Sequence, residues 1–157
     1  MDSFKNTIIS NGILATFSKS DRAHLINNKI YIFDSDREKQ SNQSYMINPP
    51  EDEKTGRVEL EPFNIPRKYH TIESVSDKIY VIGGYDGIVN YNDIYIYNTQ
   101  MNIWTNGKDF QNNNKSYSVV ILNDELYIIF EDTIDNGKKL RYDNGLNEWL
   151  FSWKSLK

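Results

Sequence analysis

Chemistry in a protein chain needs titratable or nucleophilic groups at workable spacing, and this sequence offers few. Its two histidines, His24 and His70, stand in no His-x-His pair and beside no Glu on a shared face, so the spacing of a metal or metal-hydrolase site is absent. There is no cysteine. That removes thiolate nucleophiles, thiolate metal sites and disulfides, and it fits a reducing compartment. The glycine-rich run Gly83-Gly84-Tyr85-Asp86-Gly87 leads into a further strand-like run. A phosphate cradle needs a helix N-terminus after its glycines, so this is not one. Nothing in the spacing positions a Ser–His–Asp arrangement. The acidic cluster Glu51-Asp52-Glu53, with Glu59 and Glu61 beyond it, reads as a solvated loop. The expectation is a non-enzymatic chain with no catalytic residue, no cofactor and no bound metal.

The bulk properties narrow the partners. The formal net charge is −4 and no Lys/Arg run exists. A nucleic-acid binder would show a basic stripe that displaces counterions from phosphates, so no nucleic-acid partner is expected. No apolar run approaches the roughly 20 residues that span a bilayer, so no membrane partner is expected either. The first residues, MDSFKNTIISNGILATF, lack the basic start and unbroken apolar core of a secretory signal. A cytoplasmic location follows as the expectation. Eleven Tyr and three Trp in 157 residues are far too many for a disordered chain. Ile and Tyr dominate the apolar set, and both pack well on a pleated, half-buried surface.

The elements that would carry any function repeat. Asn28-Lys29-Ile30-Tyr31-Ile32-Phe33, Asp77-Lys78-Ile79-Tyr80-Val81-Ile82 and Asp124-Glu125-Leu126-Tyr127-Ile128-Ile129 align, their tyrosines 49 and then 47 residues apart. Asp93-Ile94-Tyr95-Ile96-Tyr97-Asn98 has counterparts in Ser44-Tyr45-Met46-Ile47-Asn48 and Lys139-Leu140-Arg141-Tyr142-Asp143-Asn144. Tyr97 precedes Trp104 by seven residues, as Tyr142 precedes Trp149. Each unit reads as about four short strands. The middle one runs Tyr69 to Val75, a Ser76-Asp77 turn, Lys78 to Ile82, a loop, Asp93 to Asn98, a turn, then Trp104 onward. No segment sustains a helical period with caps. Such a unit cannot bury both faces alone and must stack on copies of itself. The units fall at 21–65, 66–110 and 111–157 of one domain, 1–157, and residues 1–20 hold one extra strand, Gly12 to Ser18.

Residues 69–104 resemble a Kelch repeat: His70, the run Asp77 to Gly84, Asp93 to Tyr97 and Asn102-Ile103-Trp104 all match its pattern. The resemblance implies an all-β fold of Kelch-type β-propeller blades, about three four-stranded antiparallel blades in an incomplete ring. It also implies structural roles for the repeat signature Gly83, Gly84, Tyr97, Trp104, Tyr142 and Trp149. The glycines would end the second strand near the propeller axis, where a Cβ does not fit, and Tyr97 and Trp104 would pack between blades. The flanking units depart from the pattern. Unit one has Asp34-Ser35 in place of Gly-Gly, no Trp, and an insertion over Pro49-Pro50-Glu51-Asp52-Glu53-Lys54; unit three has Phe130-Glu131. His70 and His24 then sit on the first strands of their units in structural roles. The Asn-, Ile-, Lys- and Tyr-heavy usage is similar to that of the short or truncated poxvirus Kelch-like proteins.

In Kelch proteins partners are met by the loops between second and third strands and by the inter-blade loops. Here the first of these is the run Tyr85 to Asn92, in which Tyr85, Asp86, Asn90 and Tyr91 are the candidate partner-binding residues, with Arg67 and Lys68 weaker ones. Two readings of that loop stay open: a contact surface, with rigid Tyr area and adaptable Asn hydrogen bonds, or a hydrophilic turn whose Tyr rings pack back on the blade. The function implied is a protein–protein interaction module, in a viral setting one that engages a host protein. The alternatives are a degenerate remnant of a longer Kelch protein and, far behind, a sugar-binding or enzymatic propeller. Three blades leave open edges, which a homodimer closing a six-bladed ring would resolve.

Overall fold

The computed structural model describes residues 6–10, 13–17, 22–33, 43–47, 57–62, 66–111, 116–131 and 139–151, and every regular element among them is a β-strand. A hairpin comes first: β1 (Asn6–Ser10) pairs antiparallel with β2 (Ile13–Phe17). Three four-stranded antiparallel sheets follow, each wound in simple sequence order. The first sheet holds β3 (Arg22–Ile26), β4 (Lys29–Phe33), β5 (Ser44–Ile47) and β6 (Arg57–Leu60). The second holds β7 (Thr71–Val75), β8 (Lys78–Tyr85), β9 (Asn90–Asn98) and β10 (Ile103–Asn106). The third holds β11 (Tyr117–Leu122), β12 (Glu125–Phe130), β13 (Lys139–Asp143) and β14 (Glu148–Phe151).

Alternation makes these strands, and stacking uses both of their faces. On β8 and β9, Ile79, Val81, Tyr95 and Tyr97 point one way and pack with Tyr31, Phe33 and Ile72. Their neighbours Tyr80, Ile82, Ile94 and Ile96 point the other way and pack with Leu126, Ile128, Leu140 and Tyr142. The second sheet is therefore apolar at every central position because it is sandwiched. Full burial of one such side chain stabilises by about 1.5–3 kcal/mol, so these two interfaces hold the stack together. The first strand of the middle sheet, β7, touches both β3 and β11, so first strands lie beside one another.

The tight turns carry their own chemistry. The link from first to second strand is Asn27-Asn28 in the first sheet and Asn123-Asp124 in the third, all four residues with positive φ. That is the backbone of a two-residue turn whose twist matches the strands, and Asn and Asp tolerate it best.

Several boundaries differ from the sequence reading. The extra strand is half of a hairpin: β1 was overlooked, although Asn11-Gly12 between two strand-length runs is a hairpin signal. Tyr69 and His70 precede the strand to which they were assigned, and Tyr69 has a φ of 61° that ends regular pairing there. β8 and β9 are longer than expected, reaching Tyr85 and starting at Asn90. The substituted pair Asp34-Ser35 and the insertion at Pro49–Lys54 lie outside the described residues.

Candidate interaction site

The loop between β8 and β9 is built on a buried ion pair. Arg67, in the segment leading to β7, is fully buried. Its guanidinium grips both oxygens of Asp93 on β9, one of them at 2.9 Å, and donates to the Gly83 carbonyl at 3.0 Å. It also lies over the Tyr91 ring, 4.2 Å from the centroid, with the Tyr95 centroid at 5.3 Å. A buried charge survives only when paired and hydrogen-bonded, and a bidentate fork flanked by aromatic faces meets that need. The result ties three segments together: the inter-sheet link, the end of β8 and the start of β9.

Gly83 and Gly84 make room for that junction. Their φ values are 61° and 106°, and the β8–β9 register shifts between Ile82 and Gly84. A Cβ on Gly84 would sit 2.9 Å from the Lys68 carbonyl oxygen, and one on Gly83 would sit 2.1 Å from the Tyr117 hydroxyl. What crowds the pair is thus the paired Lys68 backbone and a side chain of the third sheet. In that sheet the corresponding residue is Phe130, buried against Phe110 and Tyr117, so the same position is filled there by a ring. The Tyr117 hydroxyl is pushed above the usual phenol range, chiefly by burial and then by the nearby Asp93 charge.

Asp86 shapes the loop itself. One carboxylate oxygen accepts the Ile88 and Val89 amides at 2.7 and 2.8 Å, and the other accepts the Tyr91 hydroxyl at 2.9 Å. This Asx-type turn fixes the course of the loop. The hydrogen bond to Asp86 is also the main cause holding the Tyr91 phenol above its ordinary range. At the base, Lys68 and Tyr85 exchange two backbone hydrogen bonds of 2.8 Å.

The four sequence-selected residues separate accordingly. Asp86 and Tyr91, both half-buried, bond to each other and set loop geometry, which favours the packed-turn reading for them. Tyr85 is half-buried and backbone-paired, while Asn90 is exposed. Arg67 is not a surface residue at all. The large exposed groups at this end of the sheet are Ile88 at 81%, Tyr69 at 74% and Val89 at 47%. Ile88 and Val89 were passed over although two adjacent β-branched residues in a polar loop are themselves a signal. Tyr69 could not be found from sequence, because its exposure follows from an unusual backbone angle. His70 is 1% exposed, and His24 bonds the Ser74 hydroxyl of the next sheet at 2.8 Å. Among the described residues no three His, Asp or Glu side chains gather as a metal site.

The repeat signature packs within and between the sheets. Tyr97 is 1% exposed and donates its hydroxyl to Asn102 at 2.7 Å; Tyr142 does the same to Asn147 at 2.6 Å. Trp104 packs between Tyr97 and Phe33, tilted to one and edge-on to the other, with centroids 5.0 and 5.3 Å away. Trp149 lies likewise between Tyr142 and Phe110, at 5.0 and 5.8 Å. In the first sheet the same cross-strand pair is Ile47 and Arg57.

Four-stranded antiparallel sheets wound in sequence order, stacked face to face with their first strands side by side, define a protein of β-propeller blades. Residues 66–111, which hold the middle blade, match the Kelch motif. Among solved structures the fold is similar to that of "Structure of YjhT", with a TM-score of 0.62 and 16% identity. The match covers 88% of this chain and 52% of YjhT, so the chain spans about half the length of that protein. No curated protein matches it.

Proposed function

We propose that this chain is a non-enzymatic Kelch-repeat protein–protein interaction module, and that the tip of its middle blade makes the contact. The observation that carries this reading is Ile88, 81% exposed on a loop that Asp86 and the Arg67–Asp93 pair hold rigid. An apolar side chain held out by a preorganised loop loses little entropy on docking, which is how interface anchors work. Val89 and Tyr69 at the same end supply further apolar and aromatic area, the composition favoured at interface cores. The polar groups beneath are committed to one another, which suits a scaffold better than acid–base catalysis. A cytoplasmic site of action is part of the proposal and rests on the cysteine-free sequence. That the partner is a host protein met by a viral chain is supported only by the compositional likeness noted above.

The test is quantitative capture from cell lysate with the immobilised full chain, wild type beside Ile88→Asp and Val89→Asp. Both variants should keep the wild-type melt and lose the captured proteins. Unchanged capture with either variant would place the contact elsewhere and sink the tip as the site.

A further inference from the structure

We propose that the outer face of the third blade is a built cap that ends blade stacking, so that neither a further blade nor a second copy packs on it. The argument is a comparison of one structural position across three blades. The tyrosine of each second strand sits opposite a residue of the third strand: Tyr31 opposite Met46, Tyr80 opposite Ile96, and Tyr127 opposite Arg141. Two residues along, the pairs are Phe33 with Ser44, Ile82 with Ile94, and Ile129 with Lys139. In the middle blade all four of these side chains are buried against the third blade. The third blade thus places two cations where the middle blade has two isoleucines.

The charges are accommodated rather than stray. Arg141 forms an ion pair with Glu125, and the Tyr127 hydroxyl donates to the other Glu125 oxygen at 2.7 Å. Glu125 occupies the position held by Lys29 and Lys78 in the other two blades, so the charge there is reversed and now matches Arg141. Tyr31 and Tyr80 lay their rings against the third-strand tyrosine of the next blade, Tyr97 and Tyr142 respectively, at 6.2 and 6.3 Å. Tyr127 is instead tied within its own blade: it is 9% exposed and bonded to Glu125, while the Arg141 and Glu125 side chains stay 32% and 39% exposed. Long charged side chains can shield an aromatic ring while their heads stay in water. Stacked-repeat proteins need such a polar face wherever stacking stops.

Head-to-tail closure with a second copy would press this network onto the outward face of the first blade. That face is apolar, and its Ile32, Tyr45 and Ile47 are already buried within the single chain at 0%, 9% and 7% exposure. An ion pair stripped of water against an apolar wall is unfavourable. Both ring-closing faces are therefore satisfied without a partner, and a six-bladed homodimer of this kind is not the expected state.

The absence of cysteine makes the test direct. Single-cysteine variants Arg141→Cys, Ile88→Cys and Ile96→Cys of the full chain are treated with a maleimide reagent over a wide range of protein concentration. Arg141→Cys should react at a rate close to that of the exposed Ile88→Cys, independent of concentration. Ile96→Cys, the equivalent position in the middle blade, should react about a hundredfold more slowly, since reagent reaches it only through local opening. Protection of Arg141→Cys to the level of Ile96→Cys, or protection that grows with concentration, would overturn the cap. Lys139→Cys on the same face gives the same readout if Arg141→Cys does not fold. As the converse, Lys139→Ile combined with Arg141→Ile should associate in sedimentation equilibrium where the wild type does not. A wild type that self-associates, and stops doing so once position 141 is modified, would refute the proposal.

Discussion

The indole N–H of Trp104 donates to the carbonyl of Glu61 at 2.9 Å, so a side chain in the last strand of one blade holds the segment leaving the blade before it. The third blade repeats the device, with Trp149 bonded to the Lys108 carbonyl at 2.5 Å. Each Trp also packs on the Tyr seven residues ahead of it, and that Tyr hydroxyl bonds an Asn whose φ is positive, Asn102 or Asn147. The Tyr–x6–Trp spacing is thus a clamp on the inter-blade connection. Removing it should loosen the contact between blades before it unfolds either one.

Trp104→Phe keeps a ring against Phe33 and Tyr97 but loses the N–H, and should cost about 1 kcal/mol, the usual net worth of a hydrogen bond. Trp104→Ala loses the packing as well and should cost about 3 kcal/mol or more. Urea denaturation of the two variants and the wild type gives both numbers. Equal costs would show that the ring kept in Trp104→Phe contributes little, and no cost for Trp104→Phe would show that the bond to Glu61 adds nothing.

Arg67 and Asp93 should act as a unit. Arg67→Ala leaves a carboxylate without its guanidinium and should destabilise by about 3–5 kcal/mol. Arg67→Lys should recover little of this, because an ammonium cannot reproduce the two-pronged grip or lie flat over Tyr91. Asp86→Ala, by contrast, should leave the melt nearly unchanged while the Ile88 and Val89 amides lose protection from hydrogen exchange. If Asp86→Ala instead lowers stability as much as Arg67→Ala, the loop is part of the blade core rather than a separately held tip.

Burial and neighbouring groups push the Tyr80 and Tyr97 phenols up to about 12, from an ordinary value of 10.0. The folded state therefore holds these protons after the unfolded chain would have released them. Their contribution to stability is complete below pH 10 and is lost as pH rises from there toward about 12. Phenolate absorbance should show Tyr80 and Tyr97 ionising together with loss of the fold. Reversible titration of all tyrosines near pH 10 in the folded protein would contradict the packing described for these two rings.

Much of this was legible in the residues themselves. Strand-length apolar runs at a period of 47–49, punctuated by Asn and Asp turns, state a β repeat, because alternation and turn chemistry are local properties. The Tyr and Trp signature was legible for the same reason: its members lie within one hairpin. Hydrogen bonds and packing between distant segments were not. Arg67 looked like a loop cation, and only the approach of Asp93, 26 residues on, made it the buried centre of the loop junction. Asp86 and Tyr91 looked like contact residues, and only the structure shows them bonded to each other, with Ile88, Val89 and Tyr69 the exposed apolar and aromatic groups at this end of the sheet. The charged outer face of the third blade was present in the sequence as Glu125, Lys139 and Arg141. Its meaning needed the cross-strand register, because only the register shows that these residues stand where the middle blade has side chains buried against a neighbour. The amino-acid order by itself determined the blades and their repeat. The tertiary structure decided which polar groups are spent inside, which apolar ones are left at the surface, and where stacking stops.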